Sequence, residues 1–198
     1  MTAETKILAF GGSLRAASWN YKILEVAAQA ARRAGASVTC VHLRDLPMPL
    51  YSEELEREQG LPENARRLKQ LMIEHDGLLI ASPEYNSSVS GVLKNAIDWA
   101  SRREGNEPGL AAFAGKTAAL ISASTGALGG LRGLVHLRAI LGNMQVMVVP
   151  RQYAMPQADR QFDQNGQIID HPVLEKIEAC TGQLVDVCKK LYPANRNK

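Results

Sequence analysis

The stretch ILAFGGSLRAASWN, residues 7–20, decides how this chain folds. Its apolar start, Ile7 to Phe10, is typical of a buried strand, and apolar residues at helical spacing follow from about Trp19. The residues between them therefore form a strand-to-helix loop. Backbone N–H groups of a first helical turn point into such a loop, and the helix dipole favours negative charge there. The sequence predicts an anion site at residues 11–20.

Side chains of this loop suit a phosphate group, since they include the hydroxyl, guanidinium and amide donors of Ser13, Arg15, Ser18 and Asn20. The loop is neither a Walker A motif nor the G-x-G-x-x-G of a dinucleotide fold, which disfavours a nucleoside triphosphate. A plain turn with Ser18 as the helix N-cap is the alternative interpretation. Arg15 favours the anion site, because a turn does not need its charge.

Composition narrows the class of protein. The 198 residues predict one domain, residues 1–198, and the net charge of +3 is scattered along the chain, so nucleic-acid binding gets little support. Three cysteines without C-x-x-C spacing predict reduced, buried thiols and no metal site. Apolar runs are too short for a membrane span. We expect a cytoplasmic protein.

Strand-like and helical patterns alternate along the chain. Strands are predicted at 7–10, 37–43, 77–81, 116–121 and 144–149, and helices at 19–34, 62–75, 91–102, 127–141 and 172–191. Residues 47–60 and 150–170 are expected to be irregular, with a turn at 163–166. Five strands alternating with five helices predict an α/β three-layer sandwich, whose parallel sheet has the strand order 2-1-3-4-5.

Four side chains on the predicted helices are expected to have structural roles. His75, at a helix end, is expected to cap the helix or to be solvated. Asp98 and Arg102 are spaced for an i,i+4 ion pair. Trp99 is expected to pack in the core.

Ligands of open parallel sheets bind beyond the carboxyl ends of the strands, where the strand order reverses. Three polar loops of this chain are predicted to meet there, at residues 11–20, 82–91 and 122–126. We therefore expect a single ligand crevice.

Four segments together resemble the NADPH-dependent FMN reductase family, which has a flavodoxin-like fold. They are GSLRAASWN, PEYNSSVSGVLKNAIDWASR, SASTGALGG and FDQNGQIID, in this order along the chain. The resemblance implies an FMN phosphate on the loop of Ser13, Arg15, Ser18 and Asn20, lined by Trp19. It also implies that Glu84, Tyr85, Asn86 and Ser87 flank the ribityl chain and isoalloxazine and that Ser124 and Gly126 close the third side. Pro83 is expected to stiffen the second loop of this cofactor site.

The resemblance also implies a reaction. Family members pass a hydride from NADPH or NADH to FMN and then reduce an acceptor such as a quinone, with chromate, azo or nitro compounds and free flavin as further candidates. No catalytic side chain is expected, and a homodimer or homotetramer with the flavin near a subunit interface is implied. The alternative is a flavodoxin-like electron carrier or flavin-binding regulatory protein without NAD(P)H turnover. Such carriers are typically acidic, whereas this chain is slightly basic.

Overall fold

A computed structural model describes residues 4–192. Its main sheet has five parallel strands in the order β2-β1-β3-β6-β7. These are β1 (Thr5–Gly11), β2 (Ala36–His42), β3 (Gly77–Ala81), β6 (Thr117–Ala123) and β7 (Met147–Met155). The predicted strand order is confirmed, because the two remaining strands, β4 (Glu84–Tyr85) and β5 (Ser88–Val89), form a separate hairpin.

The sheet lies between two helical layers. On one face α1 (Trp19–Arg33) packs against α6 (His171–Leu191), and on the other lie α3 (Glu63–Glu74), α4 (Gly91–Ala100) and α5 (Leu131–Asn143). Every residue of β3 and β6 is buried, as expected for central strands of a parallel sheet that is covered on both sides. The loops at the carboxyl ends of these strands are thus attached to a rigid base.

The last sheet strand differs from its prediction. It was expected at residues 144–149, yet β7 runs from Met147 to Met155 and passes through Pro150. Proline lacks an N–H group, and the sheet tolerates it there because β7 is an edge strand whose register against β6 shifts between Ala118 and Leu120. The longer strand brings residues 155–158 to the end of the sheet where the polar loops lie.

Residues 47–60, expected to be irregular, contain the short helix α2 (Glu53–Gln59). Side chains of α4 hold this segment by hydrogen bonds. The side-chain Oδ1 of Asn95 accepts from Tyr51 N (2.8 Å), and Trp99 Nε1 donates to Pro49 O (2.8 Å). Trp99 is fully buried, which confirms its predicted packing role.

The predicted Asp98–Arg102 ion pair is wrong. Asp98 pairs with Lys94 one turn earlier (2.8 Å), and Arg102 binds Glu56 of α2 (2.8 Å). The reason is that α4 ends at Ala100, so Arg102 lies beyond the helix and does not continue its i,i+4 spacing.

His75 and two of the three cysteines are placed as expected, and Cys40 is not. His75 is the C-cap residue of α3 and its ring is buried. Nδ1 donates to Leu71 O in the last turn (2.6 Å), which confirms the capping alternative, and Nε2 is hydrogen-bonded to Thr39 Oγ1 (2.8 Å). Cys180 and Cys188 are buried as predicted, but Cys40 is exposed, because it lies on edge strand β2. Between residues 4 and 192, no helix is long and apolar enough to cross a membrane.

Candidate functional site

The loops after β1 and β3 are bonded to each other. Gly12 N donates to Ala81 O at the end of β3 (2.9 Å), and Ser90 Oγ, at the N-cap of α4, donates to Gly12 O (2.5 Å). A Cβ atom at Gly12 would lie 2.8 Å from Leu93 Cβ, which is too close for any other residue. The glycine is therefore needed so that the anion loop can lie directly on α4.

Tyr21 fixes the same loop from the other side. Its phenol donates to Gly11 O (2.9 Å) and accepts from the backbone N–H of Leu43 (2.9 Å), so it joins the end of β1 to the segment after β2. Burial raises the pKa of Tyr21, although the Leu43 N–H opposes this shift, and the phenol stays protonated as a donor. The sequence showed Tyr21 as an ordinary apolar position of α1, so its bridging role was missed.

The loop from residue 13 to residue 18 has the features of an anion site. Ser18 is the N-cap of α1 and accepts from Tyr21 N (3.4 Å), and buried Ser13 Oγ accepts from Arg15 N (3.3 Å). Arg15 is exposed and forms no ion pair with any residue from 4 to 192. Within the same range, the N–H groups of residues 14, 16 and 17 have no hydrogen-bond acceptor. The capping interpretation of Ser18 is thus confirmed, and the loop retains donors for a ligand.

Asn20 has a different position from the one expected of a phosphate ligand. Its side chain is buried and forms two bonds with Ala123 at the end of β6, donating to the carbonyl (2.9 Å) and accepting from the N–H (3.1 Å). Asn20 therefore ties the first loop to the third. Trp19, beside it, is partly buried and stacks on Phe162.

The loop after β3 is a β-hairpin, which the sequence did not reveal. Asn86 and Ser87 form its two-residue turn with φ values of 50° and 66°, the left-handed conformation of a type I′ turn. Asparagine tolerates this conformation well. Pro83 is buried at the base of the hairpin, and the Tyr85 side chain is 52% exposed at its edge.

Glu84 holds the hairpin against α5. Its carboxylate accepts from Gly133 N (3.1 Å) and pairs with Arg132 (2.7 Å) in the first turn of that helix. Burial by itself would raise the pKa of Glu84, but the Gly133 N–H and the Arg132 guanidinium together outweigh it and lower the pKa. Glu84 is therefore an anionic cap for α5, whereas the resemblance had implied a place beside the flavin.

The third loop, after β6, is held by the end of β7. Ser124 N donates to Met155 O (3.1 Å), and the Ser124 hydroxyl accepts from Gly126 N (3.1 Å). Gly129 has a φ of 62°, and a Cβ atom there would lie 2.5 Å from the Met155 carbonyl carbon. Close approach of backbone to backbone thus sets the shape of this loop, and Ser124 and Gly126 lie at its open side.

Together, a parallel sheet with this strand order and a donor-rich loop at the β1 switch point define a flavodoxin-like, mononucleotide-binding class of protein. The sequence pattern of NADPH-dependent FMN reductases matches residues 5–160. The chain belongs to the NADPH-dependent FMN reductase family, which confirms the resemblance.

Individual relatives agree with this assignment. An NAD(P)H-dependent FMN reductase of Pseudomonas aeruginosa is 36% identical over 179 residues, covering 90% of this chain and 92% of that protein. A 2-hydroxy-1,4-benzoquinone reductase of a Burkholderia species is 38% identical over 166 residues, covering 83% of this chain and 85% of that protein. Among solved structures, the flavoenzyme NAD(P)H:(acceptor) oxidoreductase FerB of Paracoccus denitrificans has a TM-score of 0.80 at 28% identity, covering 94% of this chain and 98% of that one.

Proposed function

We propose that this protein is an FMN-dependent NAD(P)H oxidoreductase that reduces quinones to hydroquinones. The main support is the loop at the start of α1, where Arg15 has no ion-pair partner among residues 4–192 and neighbouring N–H groups have no acceptor there. Relatives named as FMN reductase and benzoquinone reductase supply the substrate class. The electron-carrier alternative has no comparable support.

The residues present fit the phosphate of FMN. A terminal phosphomonoester would accept hydrogen bonds from the loop N–H groups and the Ser13 and Ser18 hydroxyls, and Arg15 would neutralise its charge. Because the Asn20 amide already binds Ala123, its part in our proposal is to position the loop for the phosphate. Trp19 lines the loop beside it.

The other two loops would enclose the ring system. Tyr85, Asn86 and Ser87 at the hairpin turn would contact the isoalloxazine and the ribityl chain, opposite Ser124 and Gly126. Pro83 and Glu84 would act indirectly, by fixing the base of the hairpin and its contact with α5. When bound, FMN would supply the hydride-transfer chemistry. The protein contributes binding and orientation, and the proposal assigns no side chain as a nucleophile or a general base.

A homodimer or homotetramer is part of the proposal. Leu131 and Val135 are exposed on α5 one turn apart, Leu128 is exposed just before the helix, and exposed Tyr85 lies on the hairpin that Glu84 attaches to it. An apolar surface of this kind beside a ligand site favours binding of a second copy of the chain.

The proposal also places the protein in the cytoplasm, where NAD(P)H is available and thiols stay reduced. The whole chain is proposed to form one FMN-binding domain.

The function is tested by steady-state kinetics on protein reconstituted with FMN. Because the three loops would enclose a single flavin, NAD(P)H and the quinone would bind beside it in turn. Initial rates over a matrix of NADPH and 1,4-benzoquinone concentrations should therefore give parallel double-reciprocal lines. Intersecting lines would show that both substrates bind together and would refute the shared site. A protein that holds FMN yet oxidises no NAD(P)H with or without quinone would refute the enzyme and favour the carrier.

A further inference from the structure

A small hairpin follows the β7 strand and is ordered by its own bonds. Phe162 and Ile168 form its antiparallel bridge, and the Asp163 carboxylate accepts from the backbone N–H groups of Asn165 and Gln167, both at 2.8 Å. Gly166 completes the turn with a φ of 76°. The match to the family pattern ends at residue 160, just before this hairpin. The segment FDQNGQIID resembles the family in sequence, but that resemblance gave its residues no role.

The hairpin contacts the anion loop through one aromatic pair. The Phe162 ring stacks on the Trp19 ring, with centroids 5.7 Å apart and planes 15° apart. Lys22 Nζ lies 4.5 Å from the Trp19 centroid and 5.7 Å from the Phe162 centroid, so its ammonium group faces both rings. Trp19 is the first residue of α1, between the N-cap Ser18 and the bridging Asn20.

This arrangement differs from ordinary core packing. Trp19, Lys22 and Phe162 are all only partly buried, and they lie at the margin of the core between α1 and α6. The stacked ring therefore restrains the one turn of helix whose N-terminus faces the anion loop. Its orientation determines where the N–H groups of that turn point.

We propose that the hairpin of residues 161–169 positions the phosphate-binding turn, with Phe162 as the positioning residue. The inference rests on the proposed FMN site. Phe162 does not touch the flavin in this scheme; it holds Trp19, and through it the first turn of α1, in the orientation that receives a phosphate. The hairpin thereby sets how strongly the site prefers FMN over riboflavin, which lacks the phosphate.

The test compares the dissociation constants of FMN and riboflavin, measured on apoprotein by quenching of flavin fluorescence. Phe162→Leu keeps an apolar side chain in the hairpin but removes the stacked ring, so it should weaken FMN binding by about three- to tenfold. Riboflavin binding should stay within about twofold of the parent protein, because no phosphate is involved. Phe162→Tyr should restore the preference, and Ile169→Ala, an exposed change in the same hairpin, should leave it intact.

The outcomes separate the inference from the function on which it rests. Equal weakening of FMN and riboflavin in Phe162→Leu, or an unchanged FMN affinity, would overturn the positioning role alone. A parent protein that binds riboflavin as tightly as FMN would overturn the phosphate site itself. Trp19 emission in the apoprotein checks the contact directly, and Phe162→Leu should shift it to longer wavelength. Trp99 is fully buried in a different hydrophobic cluster from Phe162, so its emission should not change.

Discussion

The two ends of the central sheet use their polar groups differently. At the amino end a cavity of about 620 Å³ has polar groups in its lining that are engaged within the protein. Lys116 Nζ donates to Ile73 O (2.8 Å) and His75 O (2.6 Å), and the Asp76 carboxylate accepts from Lys6 N (2.7 Å). At the carboxyl end the Arg15 guanidinium has no ion-pair partner among residues 4–192, and the backbone N–H groups of residues 14, 16 and 17 have no acceptor there.

Cavity volume therefore does not locate the functional end of this fold. A ligand gains most where donors would otherwise have only water, and least where they already hold internal acceptors. Substitutions at the carboxyl end should therefore change flavin binding, whereas substitutions at the amino end should change stability alone.

Asn20→Ala should have the largest effect, because it joins two loops at the carboxyl end. The change leaves both the N–H and the carbonyl of Ala123 without their side-chain partner, so we expect the free energy of unfolding to fall by about 2–4 kcal/mol. FMN binding should weaken as well. Urea denaturation and flavin titration measure the two effects. Asn143→Ala, at an exposed amide, is the control and should change neither. A stability equal to that of the parent would show that the loops do not depend on each other.

The sequence predicted the fold better than it predicted the contacts of single side chains. The strand order followed from alternating apolar runs, and the three loops followed from the strand order. The roles of Asn20 and Glu84 did not follow, because their partners lie 103 and 49 residues away in the chain. The hairpin at Glu84 was also missed, since its strands have only two residues each and show no alternation.

Arg15→Ala should have the next largest effect, and it should act on binding alone. Loss of a charge-assisted contact with the phosphate is worth about 1.5–3 kcal/mol, or roughly 10- to 150-fold in the FMN dissociation constant. Stability should hardly change, because Arg15 is exposed. Arg103→Ala removes the same charge from another exposed position and should leave the affinity unaltered. If both variants weaken binding equally, Arg15 contributes only long-range charge and the phosphate lies elsewhere.

Glu84→Gln should have a smaller effect that depends on pH. The neutral amide weakens the cap of α5, so the free energy of unfolding should fall by about 1–2 kcal/mol at neutral pH. The folded pKa of Glu84 lies below its ordinary value of 4.5, so the stabilising effect is complete above pH 4.5 and is lost as the pH falls through the folded pKa. Denaturation curves of parent and variant should therefore converge in acid. Glu25→Gln, on the exposed side of α1, is the control and should change the free energy of unfolding little at neutral pH.

Lys116→Met should have the smallest effect, and it is the direct test of the amino end. Lys116 donates to the carbonyls of Ile73 and His75 at the C-terminal end of α3, but burial lowers its pKa below the ordinary 10.5, so its charge is costly to hold. The two hydrogen bonds stabilise the fold, and burial of the charge destabilises it. For Lys116→Met we therefore expect a net loss of about 1 kcal/mol in the free energy of unfolding near neutral pH. The unfolded chain binds the proton more tightly, so the contribution of Lys116 to stability should grow as the pH rises through the lowered pKa towards 10.5. The difference in the free energy of unfolding between parent and variant should widen over that range in denaturation experiments.

FMN affinity of the Lys116→Met variant should not change at any pH, because the lysine lies at the end of the sheet opposite the anion loop. A weakened affinity in this variant would mean that the two ends of the sheet are coupled, and that flavin binding cannot be ascribed to the carboxyl-end loops alone.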